Sequence, residues 1–205
     1  MVDGDSHIIL GVLNEVQRDS AATQRRIAGN LGIALGLTNA YLKRCIKKGL
    51  VKVSQAPANR YLYYLTPLGF AEKAALTAEY LSQSFGVFRT ARNDCLQIIE
   101  ERRRHGWRRI ALAGASELAE IFALCAADGK VELVGVVDET AHGRQLAGLP
   151  VVAGLADLPA FDGVVVTVFK GAQAIHDRLA AEIGADRVTA PALLGVMPPP
   201  RAAAQ

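Results

Sequence analysis

Apolar residues recur at helical spacing three times in the first 50 positions. Ile8, Val12, Leu13 and Val16 predict an amphipathic helix over about 6–18. Ser20 is predicted to cap a second helix over about 21–30. A third helix is predicted over about 34–48, between a tight turn at Gly32 and a stop at Gly49. Its inward positions are Thr38, Leu42, Cys45 and Ile46.

A hairpin and two further helices are predicted after this helical region. The β-rich runs 50–54 and 61–65 flank the loop QAPANR, which carries Arg60. Pro67 suits a helix start and opens a helical pattern that reaches about residue 84. Gly86 is expected to interrupt this pattern before a second helix over about 87–104 that buries Phe88, Cys95, Ile98 and Ile99. These two helices are expected to form the seam of a homodimer.

From Arg109 the pattern alternates between buried strands and helices. RRIALAGAS and VELVGVVDE are predicted strands that flank a helix, and GVVVTVF and RVTAP flank a second helix. A short strand GLPVV and a short helical ADLPAF lie between these two pairs. This alternation predicts a parallel sheet that helices cover on both faces, which is a Rossmann-like fold.

Charge is distributed unevenly between the two halves. Residues 1–108 hold 16 Lys and Arg against 9 Asp and Glu, whereas residues 109–205 hold 7 against 11. This asymmetry favours contact of the first half alone with a polyanion. Three scattered cysteines argue against a disulfide framework, and the four histidines show no metal-ligand spacing. The acidic start MVDGDSHIIL and the lack of a long apolar run predict a cytoplasmic protein with no membrane contact.

The order helix, helix, turn, helix, hairpin is that of a winged helix-turn-helix, whose third helix lies in the major groove of DNA. LGIALGLTNAYLKRCIKKGLVKV, followed by YLYYLTPLGFAEKAALT, resembles the MarR-type winged-helix regulators of exopolysaccharide gene clusters. The sequence departs from that pattern at Ala34, Thr38, Ala40 and Tyr41. The arrangement predicts contacts to double-stranded DNA from Arg25, Arg26, Leu35, Gly36, Leu37, Asn39, Ala40, Lys43, Arg44, Lys47, Asn59 and Arg60.

The first strand-to-helix turn of the second half is a candidate ligand site. It reads GASELA from Gly114, and Asp138 follows at the end of the next strand. The dinucleotide fingerprint G-x-G-x-x-G keeps only its first glycine here, so the pattern is weaker for NAD than for a nucleotide or nucleotide-sugar. The candidate ligand-binding residues are Gly114, Ala115, Ser116, Glu117, Asp138 and Lys170.

IALAGASELAEIF, VELVGVVDE and GLPVVAGLADLPAF resemble the nucleotide-binding Rossmann modules of polysaccharide-biosynthesis enzymes. The domain order is also similar to that of the Rex redox repressors. Neither resemblance brings a catalytic set: the sequence shows no Tyr-x-x-x-Lys pair and no Ser/His/Asp set, so no enzyme activity and no metal are expected.

The predicted organisation is a winged helix-turn-helix domain over 1–66, a helical connector over 67–106, a Rossmann-like domain over 107–197 and a disordered tail over 198–205. The predicted function is a dimeric transcription regulator, expected to act on polysaccharide-related genes and to sense a nucleotide or nucleotide-sugar. Three alternatives remain open: an NAD(H)-responsive redox repressor, a Rossmann scaffold that uses the winged helix for assembly, and a degenerate enzyme domain.

Overall fold

Three helices form the start of the chain in the computed structural model, which describes residues 4–57, 60–128 and 130–197. They are α1 (Gly4–Arg18), α2 (Gln24–Leu31) and α3 (Leu35–Lys47). The apolar positions that predicted them form one core, with Val12, Leu13, Ile27 and Leu42 almost fully buried. Burial of these faces supplies the stability that helices of this length lack in isolation.

The helix α2 begins later than the sequence predicts. Ala21 donates its N–H to the Asp19 side chain at 2.8 Å, and Ala22 donates to the Asp19 carbonyl oxygen at 3.1 Å. This turn uses the residues after Ser20, so the prediction of a Ser20 cap is wrong. Thr23 is the N-cap instead, and its hydroxyl oxygen accepts the N–H of Arg26 at 3.2 Å.

The wing is an antiparallel hairpin of β1 (Val51–Ala56) and β2 (Arg60–Leu65). Arg60 pairs with Ala56, so it lies on a strand and not in the loop as predicted. Asn59 lies outside the described residues. The N–H of Tyr63 donates to the Ser20 carbonyl oxygen at 2.8 Å, which ties β2 to the turn between α1 and α2.

The helix α4 (Pro67–Arg104) is continuous over 38 residues, so the predicted interruption at Gly86 is wrong. A glycine costs a helix interior about 1 kcal/mol relative to alanine, too little to break a long run of good helix formers. Cys95, Ile98 and Ile99 are buried as predicted, but Phe88 is 40% exposed. Contacts divide the chain into two compact units, Met1–Gly86 and Val87–Gln205.

The second unit contains a six-stranded sheet in the order β5-β6-β4-β3-β7-β8. Its strands are β3 (Arg109–Ala113), β4 (Glu132–Val137), β5 (Gln145–Leu146), β6 (Leu149–Val152), β7 (Gly163–Val166) and β8 (Val188–Thr189). Five strands are parallel, and β5 pairs antiparallel with β6. The sheet is therefore mixed rather than wholly parallel, and the Rossmann-like α/β fold that the alternation predicts is confirmed.

Helices cover both faces of this sheet. On β3, Ile110 and Leu112 face a core that includes α5 (Glu117–Ala126) and the last part of α4. Ala111 and Ala113 face the opposite core, which includes α6 (Ala172–Ile183). This alternation follows the two-residue period of a strand. Short 3-10 helices lie at Leu155–Asp157, Ala185–Arg187 and Ala192–Leu194.

No helix in the described ranges is long and apolar enough to span a membrane. The same ranges contain no cluster of three or more His, Cys, Asp or Glu side chains suited to a metal ion. The predicted tail over 198–205 lies outside the described residues.

Candidate nucleic-acid interface and ligand cavity

One face of α3 is exposed along its whole length. Gly36, Ala40, Lys43 and Lys47 follow one another at spacings of four, three and four residues, so they share a narrow arc of the helix. All four are exposed, and Asn39 beside them is half-buried. A Cβ added to Gly36 would meet nothing within 4 Å. At Gly36, therefore, no neighbouring side chain would keep a partner away from the α3 backbone.

The start of α3 is uncapped and apolar. Ala34 is the N-cap and supplies no side-chain hydrogen bond, so the N–H groups of the first turn lack a side-chain acceptor there. Leu35 is 44% exposed and Leu37 is 41% exposed. A helix N-terminus of this kind attracts an anion such as phosphate, because its N–H groups and its dipole both favour negative charge.

The basic side chains of the first unit fall into two classes. Arg25, Lys43, Lys47 and Arg60, together with Lys48 and Lys52, are exposed and make no ion pair with any residue that the structure describes. Arg26 instead forms an ion pair with Asp19, and Arg44 forms one with Asp5 at 2.7 Å. Hydrogen bonds from the Tyr41 hydroxyl and then from Arg44 lower the pKa of Asp5. Two of the predicted DNA contacts, Arg26 and Arg44, therefore already have acidic partners within the chain.

A cavity of about 790 Å³ lies between the start of α2, the start of α3 and the wing. It brings Arg25, Leu35 and Arg60 to one opening, and Thr23 and Tyr61 also line it. Three predicted contact residues from three different elements therefore meet in space. Sequence reasoning missed the contributions of Thr23 and Tyr61, although the hairpin pattern places Tyr61 beside Arg60.

The turn after β3 is more tightly packed than a nucleotide fingerprint requires. Gly114 has a φ of +109°, and a Cβ placed on it would lie 1.9 Å from the Cγ1 atom of Val168. The Thr167 hydroxyl donates to the Gly114 carbonyl oxygen at 2.7 Å. The glycine therefore makes room for the segment that follows β7, rather than for a pyrophosphate.

Ser116 caps α5. Its hydroxyl oxygen accepts the N–H groups of Leu118 at 3.2 Å and Ala119 at 3.3 Å, and its hydroxyl donates to the Thr167 carbonyl oxygen. These bonds occupy the hydroxyl of Ser116, one of the predicted ligand-binding residues. Glu117, the next residue, is exposed.

Asp138 fastens two turns together. Its Oδ2 atom accepts the N–H of Ala115 at 2.9 Å. Its Oδ1 atom accepts the hydroxyl of Thr140 at 2.7 Å and the N–H groups of Thr140 and Ala141 at 2.9 and 3.2 Å. Burial by itself raises the pKa of Asp138, but these hydrogen bonds outweigh burial, so the pKa is lowered overall. Asp138 is therefore negatively charged, and both of its carboxylate oxygens already accept hydrogen bonds from the two turns.

A cavity of about 460 Å³ opens at the carboxyl ends of β3 and β4. Among the predicted ligand residues, Gly114 and Asp138 line it, whereas Ala115, Ser116, Glu117 and Lys170 do not. The other side of the cavity was not predicted from the sequence. It is formed by α6 and the segment before it, through Val168, Ala174, Ile175, Arg178 and Leu179. The helical spacing of AQAIHDRL was the available signal, because it places Ala174, Ile175 and Arg178 together.

Arg178 is the cation of this cavity. Its Nη1 atom lies 3.1 Å from Glu139 Oε1, and both side chains are more than half exposed. An exposed pair of this kind is worth little stability, so the guanidinium remains available to an anionic ligand. The cavity also lies at the point where strand order reverses between β3 and β7, which is where open α/β sheets bind ligands.

Residues 5–52 match the family model described as winged helix-turn-helix DNA-binding. The match covers α1, α2, α3 and the start of β1. This first part of the chain is therefore similar to DNA-binding domains, as the order of elements predicts. The match does not test the resemblance to the MarR-type regulators of exopolysaccharide gene clusters. No curated protein matches the chain closely enough to count as a relative.

Several solved structures resemble the chain weakly, among them the following two. One is PigF with SAH, at 16% identity and a TM-score of 0.29, covering 79% of this chain and 62% of that chain. The other is human N-acetylserotonin methyltransferase in complex with SAM, at 13% identity and a TM-score of 0.28, covering 78% and 66%. The chain thus spans about two thirds of the length of each.

These matches correct one expectation. The sequence analysis expected no enzyme activity, and the matched structures contradict this, since one of them is a methyltransferase. That expectation is withdrawn. At TM-scores of 0.29 and 0.28 the likeness assigns no reaction to this chain.

Proposed function

We propose that this chain is a DNA-binding transcription regulator that contacts duplex DNA through α3 and the wing. The observation that supports it most is the α3 face of Gly36, Ala40, Lys43 and Lys47, which is exposed, unobstructed and basic. It lies within the segment similar to winged helix-turn-helix DNA-binding domains. Lysines neutralise phosphates and supply affinity, while Asn39 is expected to contribute base contacts.

Salt dependence of DNA binding tests this proposal. Lys43→Ala and Lys47→Ala should each weaken binding to every duplex and reduce the log–log salt slope by about one unit. Asn39→Ala should instead change the preferred sequence among fragments selected from genomic DNA. Lys130→Ala is the matched control, because Lys130 is an exposed lysine of the second unit. Salt-insensitive binding, or equal effects of Lys43→Ala and Lys130→Ala, would exclude this surface.

The residues proposed to contact DNA are the predicted ones, and the contribution of each basic residue depends on whether it already forms an ion pair within the chain. Arg25, Lys43, Lys47 and Arg60 are expected to contribute most, since no ion pair with a described residue has to be broken. Arg26 and Arg44 must exchange Asp19 and Asp5 for phosphate, so their net contribution is smaller. The remaining predicted contacts are Leu35, Gly36, Leu37, Asn39, Asn59 and Ala40.

We further propose that the regulator is a homodimer joined through α4. Phe70, Leu81 and Phe85 are spaced so that they share one face of this helix, and they are 49%, 46% and 58% exposed. A second copy is the occupant that fits, because two-fold symmetry matches paired DNA half-sites. Sedimentation of the full chain should give a dimer, and Leu81→Glu should give a monomer. Glu79→Gln, an exposed change on the same helix, should leave the dimer intact; a monomeric wild type at micromolar concentration would refute the seam.

The cavity beside Asp138 and Arg178 is proposed to bind a nucleotide or nucleotide-sugar, with NAD less favoured because Val168 fills the space beside Gly114. Calorimetry of the full chain with UDP-glucose, ATP and NADH tests this. Arg178→Gln should weaken binding about tenfold, while Arg144→Gln, an exposed change away from the cavity, should not. If none of the three binds, the sensing proposal fails and the DNA-binding proposal stands unchanged.

The proposed regulator is expected to act on polysaccharide-related genes. The likeness of LGIALGLTNAYLKRCIKKGLVKV to the exopolysaccharide-associated regulators names polysaccharide-related genes as the expected targets. A regulator of this kind acts in the cytoplasm. The proposed limits are 1–66 for DNA binding, 67–106 for the connector and 107–197 for the ligand domain.

A further inference from the structure

A second cavity of the Rossmann-like unit has no role in the proposed function. Its volume is about 720 Å³, within the range of small-molecule sites. It lies beside the edge strand β8 and shares no lining residue with the cavity at Asp138. Its walls come from the end of α4, from α6 and from β8, and they include Arg102, Trp107, His176, Asp186, Thr189 and Ala190.

Arg102 is a largely buried cation with too few partners. Its side chain is 22% exposed, and its Nη2 atom donates one long hydrogen bond, of 3.3 Å, to the Thr189 hydroxyl oxygen. Its nearest carboxylate oxygen within the described ranges is Glu101 Oε1, at 3.8 Å and on a side chain that is 60% exposed. The Nε atom of Arg102 is buried without a hydrogen-bond partner, and no other side-chain polar atom in those ranges shares this state. Buried charges are normally paired, so this guanidinium lacks an anion.

The end of α4 holds Arg102 in this position. Gly106, with a φ of +90°, donates its N–H to the Arg103 carbonyl oxygen, and Trp107 donates to that of Arg102 at 3.0 Å. These two bonds form a Schellman motif that folds the chain back over the last helical turn. The Arg102 guanidinium carbon consequently lies 5.3 Å from the centre of the Trp107 ring, so the cation is stacked and pre-oriented.

A second buried polar group lines the same cavity. His176 is 4% exposed and its Nδ1 atom lies 3.2 Å from Asp177 Oδ1. Its Nε2 atom has no hydrogen-bond partner among the described residues. Asp186 also lines the cavity and is a negative charge there, but it is exposed and screened by water. The rest of the lining is mainly apolar, with Val188, Ala190 and Val196 beside Trp107.

We propose that this cavity binds a small organic oxyanion, a carboxylate or a phosphate monoester on an apolar body of about the size of one aromatic ring. The oxyanion pairs with the Arg102 guanidinium and accepts a hydrogen bond from the Thr189 hydroxyl. The apolar body packs against Trp107 and Ala190. The proposal rests on this cavity alone, so it stands or falls independently of DNA binding and of the site at Asp138.

Fluorescence provides a direct test, because the chain contains a single tryptophan and that residue lines the cavity. The full chain is titrated with phenyl phosphate and with benzoate, at matched ionic strength, up to about 10 mM. Benzyl alcohol is the uncharged control. We expect saturable binding of at least one anion, and the comparison of the two identifies the oxyanion that the site prefers.

Variants assign the binding to this cavity. Arg102→Gln should weaken it at least about tenfold, whereas Arg104→Gln, on the same helix and outside the cavity, should change it less than about twofold. Ala190→Leu should abolish it by filling the apolar part, with Arg102 intact. Circular dichroism checks that each variant is folded. Absence of saturation with both anions, an equal response to benzyl alcohol, or unchanged affinity in a folded Arg102→Gln or Ala190→Leu protein overturns the proposal.

Discussion

The start of α4 approaches the backbone of Leu50, the residue before β1, so closely that a side chain at position 69 would collide with it. A Cβ placed on Gly69 would lie 2.0 Å from the Leu50 carbonyl oxygen and 2.9 Å from its carbonyl carbon. The same Leu50 oxygen accepts the N–H of Thr66 at 3.0 Å, and the Thr66 hydroxyl oxygen caps α4 by accepting the N–H of Gly69 at 3.0 Å. Because the obstacle is backbone, no side-chain rotation relieves the collision.

The expected cost of Gly69→Ala follows from these contacts. Overpacking of a close contact costs about 1–3 kcal/mol, and loss of the bond between Thr66 and Leu50 adds about 1 kcal/mol. The higher helix propensity of alanine offsets about 1 kcal/mol of this loss of stability. We therefore expect the free energy of unfolding of the first unit to fall by about 2 kcal/mol. Gly36→Ala is the matched control: its added methyl group meets nothing, so stability should rise by up to about 1 kcal/mol.

Urea unfolding measures both changes, provided that the two units are observed separately. Far-UV circular dichroism reports both units, whereas fluorescence of Trp107 reports the second unit alone. Gly69→Ala should shift the circular dichroism transition and leave the fluorescence transition unchanged. Equal stability of Gly69→Ala and wild type, or destabilisation by Gly36→Ala, would refute the reasoning. Gly36→Ala should also weaken DNA binding despite its greater stability, because its methyl group stands on the proposed DNA-facing surface.

Two further predictions concern titrating groups of the chain. Hydrogen bonds from the N–H groups of Arg108 and Arg109 lower the pKa of Asp162 in the folded chain. The ionised Asp162 carboxylate therefore stabilises the fold fully above its unfolded-state pKa of about 4, and this stabilisation is lost as the pH falls through the lower folded-state pKa. Asp162→Asn should therefore reduce stability at pH 7 by about 1–2 kcal/mol and flatten the acid side of the stability profile, measured by thermal unfolding; a loss of equal size at pH 3 would contradict this. Burial raises the pKa of all three cysteine thiols, that of Cys95 to about 12. A thiol reagent at pH 8 should therefore label the native chain slowly, and it should label all three cysteines after unfolding in urea. Fast labelling of the native chain would contradict this prediction.

Local periodicity predicted most helices and strands, because the spacing of apolar residues within one helix already shows which face is buried. Val12, Leu13 and Leu42 illustrate this, since each was assigned inward from spacing alone and each is almost fully buried. Boundaries failed where a competing local bond decides them. The hydrogen-bonded turn at Asp19 makes α2 begin later in the sequence than predicted. A long helix tolerates one glycine, so the two helices predicted on either side of Gly86 are a single helix.

The candidate sites were harder to predict because they depend on contacts between distant residues. Arg44 pairs with Asp5, and Gly114 is covered by Val168, each across a long stretch of sequence. A glycine in the fingerprint position looks the same in sequence whether its empty side faces a ligand or a valine. The cavity at Arg102 had no sequence motif at all, because its lining residues come from separate elements and none is unusual by itself.

The central position of β3 has a consequence for the synthesis of the chain. Leu112 pairs with Val136 on one side and with Val165 on the other, so its second neighbour is made about 50 residues later. At about 5–20 residues per second, a ribosome leaves that edge of β3 without its native partner for roughly 3–10 s. Open strand edges template association with other chains. The paired strands β1 and β2 are close together in sequence, so the winged unit completes its pairing early. The Rossmann-like sheet is therefore the part of the nascent protein that most needs protection by a chaperone.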